Sequence, residues 1–267
     1  MLMFRTRFKR EILTEFLPPA RTENTKAAGS SKAKHSNAGG EKVIVLCDGM
    51  PSIPRKQGLA EFLAAKGYWV FYPRYRGAWE SGGEFLERSP HLDILDVIDA
   101  LRHEIRELAF GRRFRVQAKE IFVIGGSFGG AAAILASMDD RVTKAIANCP
   151  VVDWGILRTV EKSETSNPNY AAHIRAAFGG VYRLSDRNWS KLAGGEFFNP
   201  AHHVDEIDPS KIMMFHAKDD PNVPYRSVVS FAEKTGVRLK FLQRGGHLST
   251  EIIVRKYWRQ IHRFFDE

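Results

Sequence analysis

The chain alternates between short apolar runs and stretches in which apolar residues return every three or four positions. Val43-Ile44-Val45-Leu46-Cys47 is an unbroken apolar run of strand length, and similar runs recur over 68–72, 120–124, 145–149, 212–216 and 239–242. A run of this length without polar alternation predicts a strand covered on both faces, as in the middle of a parallel sheet. Helical patterns separate these runs. Leu59, Phe62 and Leu63 share one face, with Gly67 placed to stop the helix. Leu92, Leu95, Val97, Ile98, Leu101 and Ile105 predict a helix with a single apolar stripe. The small side chains of 131–136 suit a helix packed closely on a sheet, and a last helix is predicted from about Ser249. This rhythm predicts an α/β protein built on a doubly wound, mostly parallel sheet.

Two regions depart from it. Over 3–16, Phe4, Thr6 and Phe8 and then Ile12, Thr14 and Phe16 alternate as in one or two edge strands, closed by Pro18-Pro19. Residues 21–42 are Thr, Asn, Ser, Lys and Gly with almost no large apolar side chain, the composition of a mobile loop. The expected division is therefore an amino-terminal portion, 1–42, and a main domain, 43–267. Between 154 and 210 the rhythm fails, apart from a short helical pattern over 170–178. An insertion over about 155–210 is expected at the carboxyl edge of the sheet, either as a lid over a ligand site or as a structural excursion covering apolar surface.

Composition narrows the functional classes. The length of 267 residues, 43% hydrophobic content and 11% aromatic content are those of one globular domain with a substantial core. Cys47 and Cys149 both fall in apolar strand runs and read as small buried hydrophobes, which favours a reducing compartment. Met1-Leu2-Met3-Phe4-Arg5 lacks the continuous apolar stretch of a signal peptide, and no run has the length of a membrane span, so a cytoplasmic protein is expected. A net charge of +9 raises the question of nucleic acid. The basic clusters 5–10 and 111–115 are short and sit in no nucleic-acid-binding motif, so a solvated basic surface is expected and a nucleic-acid partner is not.

The candidate chemistry centres on Gly125-Gly126-Ser127-Phe128-Gly129-Gly130, directly after a predicted strand. A serine hydroxyl is a poor nucleophile unless it is held exposed beside a base. Glycines two before and two after let a sharp strand-to-helix turn form around it. The dinucleotide fingerprint and the Lys-Ser/Thr ending of a phosphate loop are both absent. In an elbow of this kind the acid and then the histidine follow the serine along the chain. Of the downstream histidines, only His247 lies in a loop directly after the last predicted strand, preceded by Gly245-Gly246. Asp220, Asp219 and Asp153 each follow a strand and compete as the acid that would orient it. The backbone N–H of Phe128 is one expected oxyanion donor. Met50, in the early loop Asp48-Gly49-Met50-Pro51, supplies the other, since Pro51 has no N–H. Arg76, Trp79 and Glu80, in the long connection 73–90, are candidates to touch substrate.

Taken together, these segments resemble the α/β-hydrolase superfamily, and within it the catalytic domain of the prolyl oligopeptidase family of serine peptidases. The early loop stands where that family usually has His-Gly-Gly-Pro, and Pro73-Arg74-Tyr75-Arg76-Gly77 is similar to its Tyr-Arg-Gly turn. The elbow, Pro150-Val151-Val152-Asp153-Trp154, Asp220-Pro221-Asn222-Val223-Pro224 and Gly246-His247 follow in family order, from about Val43 to the end of the chain. The resemblance favours Asp220 as the acid and implies a serine hydrolase acting on an ester or amide (peptide) bond through an acyl-enzyme on Ser127. It implies a small-molecule or peptide acyl substrate, no metal and no organic cofactor. An acyltransferase or thioesterase on the same fold is the alternative enzyme. A non-catalytic binding protein is the alternative from another class, and its support is Asp48, a carboxylate close to where an oxyanion would develop.

Overall fold

Successive side chains of a strand point to opposite faces of its sheet, so an unbroken apolar run fills two cores at once. The computed structural model describes residues 3–20, 40–155, 170–193 and 197–267. Its strands are β1 (Phe4–Phe8), β2 (Ile12–Leu17), β3 (Glu41–Cys47), β4 (Trp69–Pro73), β5 (Ile105–Arg106), β6 (Arg113–Phe114), β7 (Ala118–Gly126), β8 (Lys144–Asn148), β9 (Ile212–Ala217) and β10 (Arg238–Leu242). In β3, Val43, Val45 and Cys47 enter one apolar cluster while Ile44 and Leu46 enter a second on the opposite face. β7 repeats the pattern, with Val123 on the first side and Phe122 and Ile124 on the second.

Eight strands form one sheet in the order β1-β2-β4-β3-β7-β8-β9-β10. All neighbours from β4 to β10 are parallel, whereas β1 and β2 are antiparallel to each other and β2 is antiparallel to β4. The register brings the carboxyl ends of the central strands level: Cys47 lies opposite Gly125, and Gly126 opposite Asn148, which lies opposite Phe215. The loops that leave these strands therefore share one edge, where open α/β sheets bind ligands.

Helices α1 (Gln57–Ala65), α2 (His91–Ala100) and α3 (Phe128–Ala136) follow the early strands. Then come α4 (Tyr170–Phe178), α5 (Asp186–Ser190), α6 (Tyr225–Thr235), α7 (Thr250–Lys256) and α8 (Trp258–Asp266). α2, α3 and α6 cover the first face, and α1, α7 and α8 the second. Burial of each large apolar side chain in these layers contributes about 1.5–3 kcal/mol. Among the described residues no helix is long and apolar enough to cross a membrane.

Two helix boundaries differ from the apolar pattern. The stripe predicted to run to Ile105 stops at Ala100, because Leu101 caps α2 and Ile105 turns into a two-stranded hairpin opposite Phe114. Ile105 is buried in the same apolar cluster as the α2 stripe without belonging to the helix. The last helix is two helices, which meet at Tyr257 with φ −107° and ψ 20°. The mobile loop expected over 21–42 falls mostly on residues outside those described, as do 156–169 and 194–196 of the expected insertion. The described part of that insertion docks on the 73–90 segment: Phe85 N–H donates to Arg183 O at 2.8 Å and Arg183 N–H to Gly77 O at 2.8 Å.

This docking needs glycine at 77, where φ is +73° and a Cβ would lie 1.8 Å from Phe85 N. Gly179 has φ +57° but nothing within 4 Å of its Cβ position among the described residues. Gly179→Ala is expected to cost about 1 kcal/mol from backbone strain alone, and Gly77→Ala clearly more, because backbone must move. Urea unfolding midpoints of the two variants check the difference; equal shifts would contradict it.

Candidate active site

A hydroxyl at a strand end is presented to the sheet edge only if the chain reverses within a residue or two. Ser127 stands between β7 and α3 with φ 56° and ψ −121°, a conformation that side-chain-bearing residues rarely adopt. Glycines make room for it by permitting close approach. A Cβ on Gly125 would lie 1.9 Å from Gly129 O, one on Gly129 2.5 Å from Asp48 O, and one on Gly130 2.8 Å from Pro150. The neighbouring strand end holds the strained residue in place. Ser127 N–H donates to Asn148 O at 2.8 Å, and Ser127 O accepts from Gly130 N at 2.9 Å and Val151 N at 3.2 Å.

His247 follows β10 in a loop whose glycines both have positive φ, Gly245 at 155° and Gly246 at 60°. Its Nδ1 lies 2.9 Å from Asp220 Oδ2 and 3.1 Å from Oδ1. With a carboxylate as partner, Nδ1 carries the proton, which leaves the Nε2 lone pair free. Asp220 Oδ1 also accepts from the Asn222 amide at 2.8 Å and the Val223 amide at 3.0 Å. Burial raises the Asp220 pKa, but the hydrogen bond from His247 and those from the two amides outweigh it and hold the carboxyl below its usual value. Ser127 and His247 line the same pocket, of about 390 Å³, with Met50, Phe128, Trp154 and Leu248 among its walls.

The early loop lies against the elbow, since a Cβ on Gly49 would be 3.8 Å from Ser127 Cβ. Among the described residues, no acceptor takes the N–H of Met50 or of Phe128, the first residue of α3. Both residues line the pocket. The Asp48 carboxylate is turned into the protein: Tyr72 OH donates to Oδ2 at 2.5 Å and Lys56 Nζ lies 3.2 Å from Oδ1.

Other residues singled out in the sequence are spent elsewhere. Arg76 is ion-paired with Glu11 at 2.5 Å, with Asp96 at 2.9 Å and with Asp93, so it ties the 73–90 segment to α2 and the β1–β2 turn. Glu80 pairs with Arg5 at 2.5 Å. Neither lines the pocket that holds Ser127. Trp79 reaches the site indirectly, its Nε1 donating to Ser52 O at 3.1 Å, and Tyr182 OH accepts from Ser52 N at 3.0 Å. Asp153 accepts from the Gly155 amide at 2.8 Å as a turn residue. Asp219 accepts from the Gly246 amide at 2.8 Å, and so anchors the histidine loop instead of the imidazole.

Asn148 was not singled out in the sequence, yet it joins the two halves of the site. Its carbonyl holds Ser127 N–H, and its Nδ2 donates to Leu248 O at 2.6 Å, next to His247. The signal was an amide inside the apolar strand run 145–149, since a buried amide must find partners. Cys149, His216 and Asp220 bring a thiol, an imidazole and a carboxylate within 4.8 Å of one another. Burial pushes the Cys149 thiol up and holds His216 below its ordinary pKa, so a protonated thiol and a neutral imidazole pack behind the carboxylate. A metal there would need the thiolate and would compete for Asp220 with three protein donors.

The pH dependence of stability follows from Asp220. Its folded-state pKa lies below the unfolded value of about 3.9, so its contribution is fully present above that value and is lost as pH falls through the lower one. The stability gap between the natural protein and Asp220→Asn is expected to shrink as pH falls below about 4. Urea midpoints at stepped pH check this, and a gap that widens on acidification would contradict it.

The model of the prolyl oligopeptidase family matches residues 56–265. The structure resembles Pyrococcus horikoshii acylaminoacyl peptidase with a TM-score of 0.64 at 18% identity, covering 100% of this chain and 41% of that one. The chain thus spans about two fifths of that peptidase. A Pyrococcus furiosus esterase matches with a TM-score of 0.64 at 16% identity, over 99% of this chain and 89% of that one. Est1E from Butyrivibrio proteoclasticus gives 0.64 at 15% identity, over 99% of each chain. At such identities the structural likeness is one of fold. Because the family model matches most of its length, the chain belongs to the prolyl oligopeptidase family, a family of serine hydrolases with the α/β-hydrolase fold.

Proposed function

We propose that the protein hydrolyses an ester or amide bond of a small-molecule or peptide acyl substrate through an acyl-enzyme on Ser127. The observation that carries this reading is the Asp220–His247 pair, with Nδ1 at 2.9 Å from Oδ2 and with His247 lining the same pocket as Ser127. His247 Nε2 takes the Ser127 proton as Oγ attacks the acyl carbon, and Asp220 stabilises the resulting imidazolium. The Phe128 and Met50 amides, which lack other acceptors among the described residues, hold the oxyanion. The imidazolium then protonates the leaving group. A water, deprotonated by the same nitrogen, attacks the acyl carbon and returns Ser127.

The position of Asp48 in the sequence is the support for the alternative of a non-catalytic protein. Its pairing with Lys56 and Tyr72 removes that support. Apolar walls such as Val151, Trp154, Val223 and Leu248 suit an uncharged acyl group. Ser127→Ala is expected to lower kcat for an activated ester by roughly a million-fold where chemistry limits turnover. A clean preparation of that variant that keeps its turnover would overturn the reading. Addition of an alcohol, amine or thiol acceptor should leave the product a free acid; acceptor-dependent products would point to acyl transfer instead.

A further inference from the structure

The early loop offers two amides near Ser127, Gly49 and Met50, and a carboxylate between the strand and those amides. Asp48 Oδ1 takes the Gly49 N–H at 3.0 Å and Oδ2 takes the Tyr72 hydroxyl at 2.5 Å. The Tyr75 hydroxyl holds the Asp48 carbonyl at 3.1 Å. Burial and the adjacent Asp48 charge both push the Tyr72 phenol well above its ordinary pKa, so it stays a donor. With both ends of the residue pinned, the Gly49 N–H is spent inside the loop, whereas the Met50 N–H is not.

An isolated carboxylate beside a developing oxyanion would oppose it, and Asp48 is only 6% exposed. Its counter-charge is Lys56 Nζ at 3.2 Å, on a side chain that is 20% exposed and lines the pocket. Lys56 occupies the N-cap position of α1 and makes no capping hydrogen bond. A cation there faces the positive end of the helix, and Ser, Thr, Asp or Asn would cap it better. Local helix energetics therefore do not explain this lysine, and the carboxylate it faces does.

We propose that Asp48 and Lys56 act as a charge-compensated positioning pair: Asp48 withdraws the Gly49 amide and leaves Met50 as the oxyanion donor of this loop, and Lys56 cancels the field of Asp48 on the oxyanion. The inference rests on the acyl-enzyme reading above. Neither residue needs to touch the substrate, which separates this role from direct recognition of an anionic group by Lys56.

The test is a double-mutant cycle of Lys56→Met and Asp48→Asn, with kcat and KM measured on an uncharged activated ester and folding checked by urea midpoint. Lys56→Met is expected to lower kcat by about 10- to 100-fold with KM within about twofold, less than the loss of a whole oxyanion donor. Lys56→Arg should restore most of the rate. In the Asp48→Asn background, Lys56→Met should cause no further loss. An equal loss in both backgrounds, a rise confined to KM, or no loss at all would overturn the pairing. If Lys56→Met fails to fold, Lys56→Gln takes its place in the same cycle. Ser127-dependent turnover with an additive cycle rejects only this inference; turnover that does not depend on Ser127 rejects the reading beneath it.

Discussion

Backbone contact between the start of α3 and the end of β3 is the constraint on which the site depends. A side chain at Gly129 would collide with the carbonyls of Cys47 and Asp48, and one at Gly125 would collide with Gly129 itself. The approach goes with the rare conformation of Ser127 and sets the early loop against the serine. The turn around Ser127 and the early loop are therefore one packed unit. Change in either would be transmitted to the other through contacts that cannot compress.

Three buried charges near this edge obey one rule, that a carboxylate removed from water must be given donors or a cation. Asp220 has two amides and an imidazole, Asp48 has an amide, a phenol and an ammonium, and Asp93 has the Arg76 guanidinium and the Arg76 amide. The outcomes differ by what the donors are. Asp220 is held by a group with a second nitrogen to offer, which gives the pair chemical use. Burial pushes Asp93 up despite Arg76, and that cluster serves to fasten the 73–90 segment.

The strand and helix rhythm was legible because β3, β7, β8 and β9 are covered on both faces and carry apolar runs, with charged residues kept to their amino-terminal ends. That Ser127 and His247 would share one edge of the sheet with the Asp220 loop was legible in their chain order and in the glycines around them. Roles set by partners distant in sequence were not. Arg76 reads as a substrate contact until Glu11 and Asp93 are seen beside it, and Asp48 reads as an obstacle until Tyr72 and Lys56 are. Asn148 gave one local hint, an amide in an apolar strand, but nothing nearby in sequence says that it bridges the elbow and the histidine loop. Ile105 shows the converse error, an apolar residue that keeps a helical period without belonging to the helix.

Membership of the prolyl oligopeptidase family goes with the α/β-hydrolase fold. The central claim, that the strained serine is an activated nucleophile, is tested most directly by intact-mass and peptide mass spectrometry of the folded protein after treatment with a fluorophosphonate. The account predicts a single adduct mapped to Ser127 and none after urea unfolding. No adduct on folded protein, or an adduct on Ser52 or Ser249 of the same pocket instead, would contradict it.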